Sequence, residues 1–440
     1  MTLSRPNLIK LFVPLFVFAA TILAVKLIDG SAGGDPVDAG TEVAGGRATD
    51  ARSADARIAS LQAAVSNGTS RPGPYASLGD AYLQKARETF DPSYYERAES
   101  ALREALRRDP REAGALTAMG ALANARHDFT AGLRFGGRAR AAAPNAVKPY
   151  GVIVDALVEL GRYEAAERVL QRMVDLKPNL DSYARVSYIR ELHGDQDGAI
   201  DAMRLAASAG GDARENLAYV QTLIGDLELG RGNVTAARNA YGLALSRYPD
   251  YTPAQAGLAR ADGARGDLAA AIRRYRRVVE RLPLPEYAVG LAEAELAAGR
   301  RADAREDLAL VEVQQRLQRS GGVKADAEMA IVEADHGSPE RAVRLARAVW
   351  ADAPGVHAAD ALGWALTRAG KPVQGLVYAH RALRRLGSGD AEFLYHAGIA
   401  ARDAKRTDLA GRYLSRALEA NRRFSPLHAP RAERALEALR

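Results

Sequence analysis

Cysteine is absent from the 440 residues, which excludes disulfides, thiolate metal sites, a cysteine nucleophile and a lipidated N-terminal cysteine. Aromatic residues make up only 6%, with two Trp. Alternating β-branched or aromatic runs between turn clusters, the mark of strands, are almost missing. The 48% of hydrophobic residues is dominated by Ala and Leu. Ala has the best helix propensity and a small volume, so these shortages predict an all-α fold of closely packed helices. Acidic residues are the scarcer charge, 54 against 61 Lys and Arg for a net charge of +7. The Arg excess is interspersed as on solvated helix faces, so no specific nucleic-acid partner is expected.

A long apolar run occurs once, from Leu11 to Val25 between Lys10 and Lys26. Leu8 to Ile28 is long enough to cross a bilayer if both lysines snorkel to its surfaces. Residues 1–28 are therefore expected to be a transmembrane signal-anchor, the alternative being a signal peptide cleaved on secretion. Arg5 and Lys10 precede the span, whereas Asp29, Asp35, Asp38 and Glu42 follow it. That asymmetry predicts a cytoplasmic N-terminus and a single-pass cell-membrane protein whose bulk lies outside the cytoplasm. Residues 29–52 are rich in Gly, Ala and Asp and read as a flexible linker.

From there the signal is a spacing. Pro110, Pro144 and Pro178 stand 34 residues apart. Inside the interval Tyr150, Ile153, Leu157, Gly161, Ala166 and Leu170 precede Pro178 in a helix–turn–helix order. Small residues at Ala166, Ala199, Ala237 and Ala271 would let paired helices approach. Gly161, Gly232, Gly266 and Gly370 would end the first helix of a pair at positive φ. Pro144, Pro178 and Pro249 would close the second helix. Extra residues around Arg87–Tyr94 fall between the helices of the first unit, and the second helix of the seventh is expected to run to about Gln318.

About ten such units can be followed, and the chain resembles the tetratricopeptide repeat (TPR) family over residues 53–440, in a membrane-anchored bacterial type. The resemblance implies a right-handed α-α superhelix: a solenoid over 53–428 with a looser break near 319–324, closed by a capping helix at 429–440. It also implies a concave groove lined by the first helix of each pair, and a non-catalytic scaffold that holds protein or peptide segments. The Trp usual at the first signature position is replaced by Tyr75, Tyr150 or Tyr183. The paired Lys and Asn with which some members clamp a carboxylate are missing.

Enzyme signatures fail. No phosphate-binding G-x-x-x-x-G-K-[ST], H-E-x-x-H or G-x-S-x-G occurs, and the repeats leave no separate domain to build a pocket. No cofactor is expected. Five of the seven histidines lie in the last quarter. Glu333 and His336 share a helix face at i, i+3, and His396 and His380 lie on neighbouring helical units, so His336, Glu333 and His396 are the metal-ligand candidates.

At the family's groove-facing offsets stand Asp80, Asp155, Glu159, Asp181, Glu191, Asp226, Glu286, Glu293, Asp335, Asp360, Glu392 and Asp403. The basic residues there are Lys148, Arg260, Lys324, Arg368 and Arg402. An acidic-leaning groove would take an extended basic or apolar partner segment. Trp364, Tyr395 and Tyr188 are the expected aromatic anchors, flanked by Asp360, Arg368, Glu392, Arg402, Asp155 and Glu159. Two alternatives remain: an assembly factor that grips membrane proteins through residues 8–28, and a metal- or ligand-binding accessory protein using the C-terminal histidines.

Overall fold

A computed structural model describes residues 54–89, 91–211, 214–385 and 389–439. The expected anchor and linker, residues 1–52, lie outside the described residues. Among the described residues no helix is long and apolar enough to cross a membrane.

The described chain is helical throughout, without strands. Helix α1 (Ala54–Ser66) precedes ten hairpins. They are α2 (Pro72–Thr89) with α3 (Ser93–Arg108), α4 (Ala113–Ala125) with α5 (Phe129–Ala142), and α6 (Val147–Glu159) with α7 (Tyr163–Leu176). Next come α8 (Leu180–Leu192) with α9 (Gln196–Ala209), α10 (Arg214–Gly230) with α11 (Val234–Arg247), and α12 (Thr252–Ala264) with α13 (Leu268–Arg281). Then follow α14 (Pro285–Ala297) with α15 (Arg301–Ser320), α16 (Ala327–His336) with α17 (Pro339–Asp352), α18 (Val356–Arg368) with α19 (Pro372–Arg385), and α20 (Ala391–Asp403) with α21 (Thr407–Ala420). Helix α22 (His428–Glu437) closes the array.

Local chemistry sets these boundaries. Helices α3, α5, α7, α11, α13 and α17 each stop two residues before a proline, at Pro110, Pro144, Pro178, Pro249, Pro283 and Pro354. The residue between is extended, as at Asp109 (φ −139°, ψ 102°), because proline drives its predecessor out of the helical region. The turn glycines take positive φ as expected, 68° at Gly161 and 73° at Gly370. The same turn falls on His127 in the second hairpin and Lys405 in the tenth, at φ 58° and 59°. Ala166, Ala199, Ala237 and Ala271 are fully buried at helix crossings.

Two irregularities have clear forms. The extra residues of the first unit lengthen α2 to 18 residues, leaving only a short turn before α3. Helix α15 runs 20 residues to Ser320, and the chain then continues to α16 without helix.

The solenoid also winds back onto itself. Val356 N–H donates to the Tyr163 hydroxyl at 2.9 Å across 193 residues. The Asn421 amide donates to the Leu229 and Gly230 carbonyls at 3.0 Å each. His127 Nδ1 lies 3.1 Å from the Lys324 carbonyl, and Lys324 N–H donates to the Arg126 carbonyl at 3.1 Å. One apolar cluster joins Tyr150, Leu157 and Tyr163 to Val356, Ala359 and Phe393. These separations correspond to between five and six 34-residue units, so the later hairpins rest on the earlier ones along a continuous seam.

Candidate functional site

First helices carry the residues that face the interior of this winding. Glu328 on α16 lies within electrostatic reach of Asp326, of Glu286 on α14, of Glu159 on α6 and of Glu392 on α20. Glu191 on α8 feels Asp390 and Asp226, and Arg87 on α2 feels Asp181 on α8. Such couplings between widely separated helices require that their side chains look into a shared space. Glu191, Asp390 and Glu392 reach water but are walled by protein, as the lining of an interior must be.

Enclosure and mutual repulsion favour the neutral carboxyl. Burial, then Asp155 and Asp326, pushes Glu159 up to about 8. Burial, then Asp390 and Asp226, pushes Glu191 to about 7. Burial, with Glu392 and Asp360 adding to it, lifts Asp390 to about 6. Glu328 is held well above the carboxylate range, first by burial and then by its four acidic neighbours. Among the groove-facing offsets read from the sequence, Glu159, Glu191, Glu286 and Glu392 thus meet in one acidic interior. Glu328, Asp326 and Asp390 join it although the sequence reading did not single them out.

Other expected contact residues have partners within the chain. Asp155 receives two hydrogen bonds from the Arg185 guanidinium, at 2.7 and 3.0 Å, in a pair that is almost wholly buried. Arg402 is paired with its neighbour Asp403 at 2.7 Å. Arg368 donates to the Ala334 carbonyl at 3.2 Å and lies over the Trp364 ring. Tyr188 is half-buried and shares a hydrogen bond of 3.2 Å with His357 across the seam.

Trp364 and Tyr395 are placed in the core and not on the groove surface, at 2% and 3% exposure. Each is a large apolar ring on the face of its helix that packs against neighbouring helices, so neither is presented as an anchor.

Those two rings belong to a polar cluster between α18, α20 and α22. Trp364 stacks on His396 with centroids 4.3 Å apart and planes 17° off parallel. Tyr395 stacks on His428 at 5.0 Å and 20°. Trp364 Nε1 donates to Asp335 at 3.1 Å, and His396 Nδ1 meets Asp360 at 2.8 Å. Burial alone would lower the His396 pKa, but the adjoining Asp360 carboxylate outweighs it and raises the group to about 9. One donor atom each of Glu392, His396 and His428 lies within 4.8 Å of the others.

Glu333 and His336 do not form the metal half-site expected from their spacing. The Glu333 carboxylate accepts from Ser338 N–H at 2.7 Å and pairs with Arg341 at 3.0 Å, capping α17. His336 turns to Glu293 at 3.3 Å. His396 stays in a donor cluster, but with His428 as partner. The signal missed was that the residue opening the capping helix falls beside the preceding hairpin's first helix.

Residues 147–180 match the tetratricopeptide repeat family model. No curated protein matches the chain. Among solved structures, it is similar to TTC0263, a thermophilic TPR protein of Thermus thermophilus, with 20% identity, 42% of this chain and 98% of that one covered, and a TM-score of 0.37. It is similar to pilF of Pseudomonas aeruginosa, with 18% identity, 48% and 92% covered, and a TM-score of 0.36. It is also similar to the APC/C hetero-tetramer Cut9-Hcn1, with 15% identity, 88% and 84% covered, and a TM-score of 0.39. The all-α array of helical hairpins therefore carries, at residues 147–180, a tetratricopeptide repeat.

Proposed function

We propose that this chain is a non-catalytic scaffold whose tetratricopeptide-type solenoid holds an extended basic or apolar segment of a partner protein in its acidic interior. Residues 8–28 tether it to the cell membrane, and the solenoid stands on the extracytoplasmic side. The observation that carries the reading is the convergence of Glu328, Glu286, Glu159 and Glu392 from four separate first helices. Of these, Glu159 and Glu328 are held above the carboxylate range by burial and acidic neighbours, and their ionised forms would be stabilised by an arriving cation. A Lys- or Arg-bearing segment would release their protons and gain charge-assisted contacts.

The test uses the full chain in nanodiscs and a fluorescent extended peptide of alternating Lys and Leu, beside a Glu-for-Lys control. The scaffold reading expects saturable binding of the basic peptide alone. Binding should weaken at least tenfold in a Glu159→Gln/Glu191→Gln/Glu328→Gln variant of unchanged helicity. Equal affinity of variant and parent would remove the interior as the site. Capture that survives the triple change and vanishes when residues 8–28 are replaced by an unrelated span would favour the anchor-based assembly role.

A further inference from the structure

The polar cluster at the C-terminal end holds chemistry that a peptide scaffold does not use. Three carboxylates (Asp335, Asp360 and Glu392) meet two imidazoles (His396 and His428) there. Asp335, Asp360 and both histidine side chains are nearly inaccessible to solvent. Three negative charges gathered this closely need positive charge nearby. Arg368 and Arg431 stand beside the Trp364 and Tyr395 rings; at the carboxylates themselves, protonated imidazoles or a bound cation would supply it.

Hydrogen bonding separates the two. An imidazolium donates through both ring nitrogens, so two of them need four acceptors. Only His396 Nδ1 has one, Asp360 at 2.8 Å. His396 Nε2 and both nitrogens of His428 are buried without a hydrogen-bond partner. His428 Nδ1 stands 3.7 Å from Glu392 Oε1, and its Nε2 stands 3.8 Å from Asp335 Oδ1. Both distances are too long for hydrogen bonds, and the first is between two donors that an ion would draw together. Two imidazoliums would leave three buried N–H groups unmet, whereas a metal ion takes the lone pairs of His396 Nε2 and His428 Nδ1 and leaves only the His428 Nε2–H, which faces Asp335 at 3.8 Å.

We propose that Glu392, His396 and His428 bind a divalent transition-metal ion of the zinc class. His396 coordinates through Nε2, His428 through Nδ1 and Glu392 through its carboxylate. A two-histidine, one-carboxylate set is a ligand combination that zinc accepts, with a fourth position left for water or a partner group. Donors on a tetrahedral ion stand roughly 3.4 Å apart at bond lengths of about 2.1 Å. The observed donors fall within 4.8 Å of one another, so side-chain rotations of about an ångström close the site.

Its outer contacts are already in place. Asp360 holds His396 Nδ1–H and so directs Nε2 inward, the carboxylate–histidine arrangement that orients metal ligands. Asp335, fixed by the Trp364 indole, faces the far nitrogen of His428. The stacked faces of Trp364 and Tyr395 hold both imidazoles in plane. Glu392 and His396 are one turn apart on α20, and His428 opens α22. The ion would therefore fasten the capping helix to the last hairpin, and the half-exposed Glu392 turns the open coordination position toward the interior.

The experiment uses untagged full-length chain in detergent, stripped with chelator and titrated with cobalt(II) chloride, then with zinc chloride. Visible cobalt absorption is read alongside metal content. The site predicts one equivalent of cobalt with a low-symmetry d–d spectrum that zinc abolishes, and a rise in melting temperature with either ion. His428→Ala should lose the spectrum, and Asp360→Asn should weaken binding by about 10- to 100-fold. Glu392→Gln changes a half-exposed position and keeps the fold; it should weaken binding at least tenfold with unchanged circular dichroism. Absence of the spectrum in the parent would overturn the proposal in favour of a proton-compensated cluster. So would parent-like cobalt binding by folded Glu392→Gln.

Discussion

Tyr163 opens the second helix of the third hairpin, and its hydroxyl accepts the backbone N–H of Val356, which begins the ninth hairpin 193 residues later. The Tyr163 ring is buried in the cluster that continues into Val356, Ala359 and Phe393. This single contact ties two winds of the solenoid that no local interaction connects.

Removing the hydroxyl tests how much the seam matters. Tyr163→Phe keeps the ring and leaves the buried Val356 N–H unmet, a loss of about 1–3 kcal/mol. Denaturant unfolding should show it, and hydrogen exchange should show faster opening at Val356 and neighbouring amides of α18. Loss confined to α7 would mean that the two winds open independently.

Backbone conformation gives an opposed pair of outcomes at equivalent turns. A Cβ on Gly161 would sit 2.6 Å from the Pro354 carbonyl oxygen, with φ at +68°. Gly161→Ala should therefore destabilise by about 2 kcal/mol or more, since strain and a backbone clash add. Lys405 occupies the same left-handed position in the tenth hairpin at φ 59°. Lys405→Gly should relieve about 1 kcal/mol of strain. Differential scanning calorimetry should move the two transitions in opposite directions.

The buried pair on α6 and α8 behaves differently from a surface ion pair. Arg185→Met strands the Asp155 carboxylate and should destabilise by about 3–5 kcal/mol. Converting both residues, Asp155→Leu with Arg185→Met, should recover most of that loss. A double variant as unstable as the single one would show that the pair contributes more than its mutual compensation.

Acidity of the interior makes stability depend on pH. Glu159 and Glu191 sit at about 8 and about 7 in the folded chain, against 4.5 for an ordinary glutamate. Between those values the folded state binds more protons than the unfolded state, so stability falls as pH rises. Melting temperature should decline from pH 5 to pH 8.5, and the Glu159→Gln/Glu191→Gln/Glu328→Gln variant should flatten that slope. The affinity for the Lys-rich peptide should run the other way, rising over the same interval as the carboxyls ionise. A melting temperature that climbs with pH would contradict the placement of these groups.

Local rules carried the fold far. Pro110, Pro144 and Pro178 end helices because proline constrains itself and its predecessor, and Gly161 turns the chain because it lacks Cβ. Neither effect depends on distant residues, so both were legible in the sequence. Glu159, Glu191, Glu286 and Glu392 were legible by their offsets on first helices. Glu328, Asp390 and His428 were not, because their meetings depend on small rotations summed over many hairpins. Trp364 and Tyr395 show the converse failure. Helical offset alone cannot tell a ring that faces an open groove from one covered by the next helix, here α20 and α22.

An ordinary open solenoid can gain or lose a unit with little penalty, because each unit touches only its neighbours. The bond between Asn421 and the Leu229 and Gly230 carbonyls denies this chain that freedom. Deleting one 34-residue unit between Gly230 and Lys324 would rotate everything downstream out of phase, and Asn421, Val356 and Lys324 would all miss their partners together. Unit number is thus fixed the way tooth count is fixed in a gear. Length variation in related chains should occur at the two ends or in whole windings.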